Sequence, residues 1–143
     1  MSHPIDFISW LGLVVDEASA DRVTAHLDVA ARHMQPYGIL HGGVYCTIIE
    51  SLASVGAATW AMGQGMVGAV GVSNATDFIR SVRDGRIAAE ALPVHRGRTQ
   101  QLWQAVITAA DGDRLLARGQ VRLQNLRNAE AIGGITRSAP PGA

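Results

Sequence analysis

Glu50 is the only charged side chain between His41 and Asp77 in this sequence of 143 residues. It falls within an apolar run with helical character, and a carboxylate buried there costs several kcal/mol unless it is paired. No Arg or Lys lies within a helical turn of it. Its helical neighbours at i−4 and i+4 are Cys46 and Ser54, with Ala53 and Ala57 on the same face, so small side chains leave space beside the carboxylate. Two readings are open: a helix acid paired with a distant Arg, or a catalytic carboxylate. The lack of a nearby cation favours the second, in which desolvation raises the pKa and makes Glu50 a usable base or nucleophile.

His41-Gly42-Gly43 stands at the start of the same helix. Two glycines are poor helix starters, and alone they fit a tight turn equally well. They also let a ligand approach backbone N–H groups closely, and a helix N-terminus offers free donors and the positive end of a dipole. That is the chemistry of an oxyanion hole. Eight residues at 1.5 Å each put Glu50 about 12 Å along the axis from Gly42. One substrate carbonyl cannot reach both within one chain. If both act on it, two antiparallel helices meet and the site lies between two subunits.

The elements that must carry these residues follow from periodicity and turn chemistry. The helix is expected from about Gly42 to Met62, after a turn at Pro36-Tyr37-Gly38 and before the stop at Gly63-Gln64-Gly65. It is apolar almost all round, as a core helix is. Residues 23–29 alternate with period two, with 11–15 as the expected hairpin partner. Four more strands are expected at 67–78, 87–94, 99–109 and 115–124. Turn signals stand at Asp84-Gly85 and Asp111-Gly112. Short turns between these strands suggest an antiparallel meander. One sheet around one helix buries that helix on only part of its surface and must hide its edges, so at least a dimer is expected.

Composition narrows the function classes. Hydrophobic residues make up 48% and charged residues 17%, a globular balance. The formal net charge is zero, which argues against a nucleic-acid binder. Every basic residue is Arg. Residues 1–50 hold two Arg against six acids, and 51–143 hold ten against six. Five of these, Arg80, Arg83, Arg86, Arg96 and Arg98, fall in one stretch that suits either a solvated face or a phosphorylated ligand. The single Cys46 excludes an intramolecular disulfide and a Cys-based zinc cluster, and reads as packing. His3, His26 and His33 have no metal spacing, so neither metal nor cofactor is expected. Trp60 and Trp103 read as core, and His95 as a strand-end surface residue. The segment 51–76 lacks charge but is too rich in Gly for a membrane span. The N-terminal residues show no basic, apolar leader pattern, so a cytoplasmic location is expected.

Gln35-Pro36-Tyr37-Gly38-Ile39-Leu40-His41-Gly42-Gly43, followed by Glu50 and Ser54, resembles the hotdog-fold acyl-CoA thioesterases. The resemblance is to the branch with phenylacetate-pathway, Glu-dependent 4-hydroxybenzoyl-CoA and enterobactin proofreading thioesterases. It continues through Val70–Ala75, Arg80–Gly85 and His95–Arg98. It implies an α+β hotdog domain over 1–126, an antiparallel sheet wrapped around one long central helix, with 127–143 as a mobile tail. It further implies an acyl-CoA substrate, an aryl-CoA included, and a homodimer or homotetramer with the active site at the dimer interface. In that reading the Gly42 N–H polarises the thioester carbonyl, and the other subunit's copy of Glu50 acts as nucleophile or general base. Gln35 and His41 hold the thioester and the water, which Ser54 orients. Gly43, Ser73, Asn74, Arg80, Arg98 and Thr99 are the implied substrate contacts, the last three toward the CoA phosphates.

Two other functions compete. A hotdog protein that only binds acyl-CoA is disfavoured, because a binder gains nothing from an unpaired acid beside Ser54. A hotdog dehydratase places its His and acid differently.

Overall fold

The apolar run beginning at Gly42 forms a single 22-residue helix, as its composition requires. In the computed structural model, which describes residues 5–128, the order is α1 (Phe7–Leu11), β1 (Val14–Ala18), β2 (Val23–Asp28), α2 (Gly42–Gly63), β3 (Gly68–Phe78), β4 (Arg86–Arg96), β5 (Gln100–Ala109) and β6 (Leu115–Leu126). The six strands form one antiparallel sheet that wraps α2, the hotdog arrangement. The tail expected at 127–143 falls, from residue 129 onward, outside the described residues.

Alternation in β2, β4, β5 and β6 puts one set of side chains under the helix. Val23, Leu27, Ile87, Trp103, Ile107, Val121 and Leu123 meet Ile48, Ile49 and Leu52 of α2 in one core cluster. Small residues between them, Ala25, Ala89, Ala91 and Ala105, let the sheet curve closely around the helix. The Trp103 ring lies against the helix at Gly56. Its Nε1–H donates to Gln101 Oε1 at 2.9 Å, while Gln101 Nε2 donates to Asn125 Oδ1 at 2.8 Å and to Ala57 O at 3.1 Å. This buried polar group is thus fully paired.

Two sequence expectations need correction. The expected strand at 11–15 begins only at Val14. Asp6 caps α1 through its bond from the Ser9 N–H at 2.8 Å, and Gly12, at φ 85°, turns the chain out of that helix. The meander is also incomplete: the strand order is β1-β2-β4-β5-β6-β3, so β3 neighbours β6 and not β4. The connection 79–85 is not a hairpin. Ile79 N–H bonds Leu116 O, Leu40 N–H bonds Val82 O, and Val29 N–H bonds Gly85 O, so the segment runs from the β3 edge of the sheet to the interior strand β4 past the start of α2.

The two edges of the sheet differ. β1 carries Asp16 and Glu17, charges that discourage further pairing. β3 has 11 residues, exposes Val70 at 39%, Val72 at 54% and Phe78 at 57%, and carries no Lys or Pro. The face of α2 that the sheet leaves uncovered includes Glu50.

Candidate active site

The start of α2 is fixed by backbone bonds before any side chain acts. Gln35 N–H donates to Ile39 O and Gly38 N–H to Gln35 O, each at 2.9 Å, closing the turn that the sequence announces. His41 N–H then bonds His33 O at 2.9 Å. The His41 ring caps the helix by accepting the Gly43 N–H on Nδ1 at 2.8 Å. Gly43's donor is therefore engaged, whereas the Gly42 N–H, at the first helical position, has no intrahelical acceptor. A Cβ at residue 42 would stand 2.3 Å from Phe78 Cε2, so any larger residue there displaces that ring.

Gly42, Gln35, Tyr45, Phe78 and Arg80 line one cavity of about 280 Å³. Gln35 Oε1 accepts the Tyr37 N–H, which leaves its amide N–H groups as the remaining donors. Arg80 is tied down at both ends: Tyr45 O–H donates to its carbonyl and its Nη1 donates to Leu115 O, each at 2.9 Å. Burial pushes the Tyr45 phenol above its ordinary value. His41 is not part of this cavity. It lines another, with Gly43, Phe7 and Trp10.

Glu50 lines a separate cavity of about 450 Å³ with Ser54, Ile8, Leu13, Val15 and Gly71. A Cβ at residue 71 would stand 2.9 Å from Glu50 Oε1, so the carboxylate lies directly on the β3 backbone. The expectation of a buried Glu50 is corrected here: within one chain it is exposed, because the sheet curls around the opposite face of α2. Its carboxylate forms no hydrogen bond or ion pair among the described residues, and none of the described Arg residues is its partner. Ser54, one turn on, shares the cavity, as the i+4 spacing requires.

Between the two cavities, α2 and β3 are stitched at mid-strand, where Asn74 Nδ2 donates to Cys46 O at 3.0 Å. Ser73 is exposed beside a bulge between Gly71 and Ser73. Arg98 and Thr99 sit in the exposed β4–β5 turn, where Thr99 O accepts the Asn125 N–H at 2.9 Å. That turn is at the opposite end of the sheet from Arg80, so the structure does not bring the three proposed phosphate contacts together within one chain. The Arg-rich stretch is largely structural. Arg83 holds Gly38 O at 3.0 Å, Arg86 pairs with Asp28 at 2.8 Å, and Arg96 pairs with Asp21 at 2.8 Å and lies over Trp60. Arg98 has no such partner among the described residues.

With the geometry in hand, a model of the thioesterase superfamily matches residues 37–117, from the turn before α2 into β6. The chain belongs to the thioesterase superfamily. A Mycobacterium tuberculosis protein provisionally named an esterase is 51% identical over 123 residues, covering 85% of this chain and 87% of its own. Its solved structure superposes with a TM-score of 0.82, covering 85% of this chain and 97% of that one. The proofreading thioesterase EntH of Klebsiella pneumoniae is 36% identical over 110 residues, covering 75% of this chain and 77% of its own. The 1,4-dihydroxy-2-naphthoyl-CoA hydrolase of Escherichia coli is 31% identical over 102 residues, covering 71% and 74%. This superfamily member is thus an enzyme, a thioester hydrolase with the hotdog fold.

Sequence reasoning missed Gly71 and Phe78 as neighbours of the two functional positions. Both lie on β3, and nothing local to them signals which helix residue they face. Their i, i+3 and i+7 relation to Asn74 carries no period that a strand pattern would flag.

Proposed function

We propose that this thioesterase hydrolyses an acyl-CoA to the free acid and CoA at a site shared by two copies of the chain. The observation that carries the proposal is the separation of Gly42 and Glu50 into two cavities of one subunit, with the carboxylate exposed and unpartnered. The unguarded edge at β3 offers the contact: a second β3 added antiparallel would satisfy its free backbone groups and bring Glu50 of one copy toward Gly42 of the other. The same reading allows this dimer to pair again into a tetramer. The name of the Escherichia coli relative supports CoA as the carrier.

The chemistry follows from the parts. The Gly42 N–H, at the positive end of the helix, stabilises charge developing on the thioester oxygen. Glu50 acts in one of two ways. As a base it takes a proton from water, whose oxygen attacks the carbonyl; the tetrahedral adduct collapses and the CoA sulfur leaves with a proton. As a nucleophile its carboxylate displaces the CoA thiolate to give a mixed anhydride, which water then cleaves to the acid and free Glu50. Ser54 is positioned to orient the water in either route. Gln35 supplies amide donors beside the Gly42 N–H, and His41 acts through the helix cap. Arg98 and Thr99 offer an exposed contact for the CoA phosphates.

The sharing of the site is tested by complementation. Glu50→Gln and Gly42→Ala chains are each inactive, but when co-expressed in equal amounts half the dimers are mixed, and each mixed dimer holds one intact site. About a quarter of the parental activity returns. If the mixed preparation stays as inactive as either variant alone, the two residues act within one subunit and the proposal is wrong.

A further inference from the structure

Phe78 is an exposed aromatic residue held in an unusual place. Its side chain is at the last position of β3, opposite Ala117 of β6. The edge of its ring rests on the Gly42 Cα so closely that a Cβ there would lie 2.3, 2.7 and 2.8 Å from Cε2, Cζ and Cδ2. The ring also packs on Tyr45 with centroids 6.0 Å apart, and Tyr45 is itself anchored to the Arg80 carbonyl at 2.9 Å. Yet Phe78 remains 57% exposed. A core phenylalanine would be buried, and a surface phenylalanine would not need a glycine cut to fit it. The ring shares its cavity with the Gly42 backbone, Gln35 and Arg80.

We propose that Phe78 is a positioning residue for the hydrolysis inferred above: its ring forms the apolar wall of the carbonyl-donor cavity, excluding water from one side of the Gly42 N–H. A donor competing with water loses much of its effect on a developing oxyanion, while the same donor in a dry pocket keeps it. The wall also restricts the directions from which a thioester carbonyl can approach the helix terminus. The role rests on the thioesterase reading of Gly42 but not on which route Glu50 takes.

The test uses the full-length protein, a panel of benzoyl-CoA, octanoyl-CoA and acetyl-CoA, and detection of released thiol. Phe78→Ala is expected to lower kcat about tenfold on the best substrate with a smaller change in KM, because the loss falls on the transition state. Phe78→Leu, which restores an apolar wall, is expected to recover most of that loss. Phe78→Ala should keep the parent's fold and a cooperative melt at assay temperature, since Phe78 lies outside the core cluster around α2. The three atoms nearest a Cβ at residue 42 all belong to this ring, so Gly42→Ala/Phe78→Ala should exceed Gly42→Ala in kcat, which checks that the ring packs on the helix terminus. A readout independent of substrate is amide hydrogen exchange at Gly42, expected to be about tenfold faster in Phe78→Ala.

Unchanged kcat and unchanged Gly42 exchange in Phe78→Ala overturn the proposal, as does a loss of activity that only follows a fall in melting temperature. Glu50→Gln run in parallel separates this from a failure of the broader reading. If Glu50→Gln is inactive while Phe78→Ala is normal, only the role of Phe78 falls. If Glu50→Gln keeps full activity, the catalytic reading falls, and the exchange result alone then decides whether Phe78 shields the donor.

Discussion

The two ends of the proposed catalytic machinery are built to different degrees of completion. At the start of α2 the chain finishes its own work: a hydrogen-bonded turn, a His41 cap, a glycine under an aromatic ring and an arginine tied at both ends. Eight residues on, Glu50 lies exposed over Gly71, with no partner among the described residues. A backbone donor works by fixed direction, so it must be rigid before substrate arrives. A carboxylate base or nucleophile works by having no competing partner, so leaving it unpaired is itself the arrangement, and in the proposed dimer the second subunit supplies its surroundings.

The sharpest way to break this contrast is to remove the charge from the open end. Glu50→Gln is expected to lower kcat by roughly two orders of magnitude or more, with KM little changed. Its thermal stability should hold or rise, since Glu50 makes no ion pair or hydrogen bond among the described residues. Near-normal kcat with a lowered melting temperature would falsify the catalytic assignment.

A charge on the β3 edge should disconnect the two ends. Val72→Asp, at a side chain 54% exposed on β3, is expected to give a folded monomer by light scattering with kcat reduced about a hundredfold. A fully active monomer would mean that each subunit holds a complete site.

Arg98 sharpens the comparison from outside both cavities. Arg98→Ala is expected to raise KM for benzoyl-CoA about fivefold, the scale of one exposed charge-assisted contact, and to leave KM for benzoyl-pantetheine unchanged. Equal effects on both substrates would remove Arg98 from the nucleotide contacts.

The smallest expected effect probes the rigidity of the finished end. Tyr45→Phe removes the bond to Arg80 O and should cost about 1 kcal/mol. Burial raises the Tyr45 phenol in the folded chain, so the stability it contributes is full below the ordinary tyrosine value, about 10, and is lost as pH rises through the raised folded value. Melting curves between pH 8 and 11 should show a steeper alkaline decline in the parent than in Tyr45→Phe; parallel curves would mean that this phenol does not report on the fold.

Much of this architecture is legible from residues that act locally. The helix reads clearly because a long apolar run is bracketed by a Pro-Gly turn and a Gly-Gln-Gly stop. The Gln35 to Glu50 pattern reads because its spacing is that of a loop entering a helix. Strand order does not read. The residues 79–85 contain turn formers, but whether such a segment reverses or crosses depends on the β3–β6 pairing, which is set by contacts distant in sequence. Glu50's exposure was also hidden, because composition shows that a helix is apolar all round but not which of its faces the sheet reaches. Phe78 looked like an ordinary strand residue until the backbone of Gly42 was found beneath it.

The pairing of β3 with β6 also bears on how the protein is made. During synthesis β3 leaves the ribosome well before β6, its neighbour in the sheet, and the final match of Gly68 with Leu126 needs nearly all of the described residues. Until then the strand has two open edges and two bare valines, the profile of a segment that chaperones shield and that pairs wrongly when crowded. One edge closes when β6 pairs; the other is the one proposed to take a second molecule. Assembly is therefore expected to wait until β6 has been made, and subunits made at different times should mix freely into one enzyme.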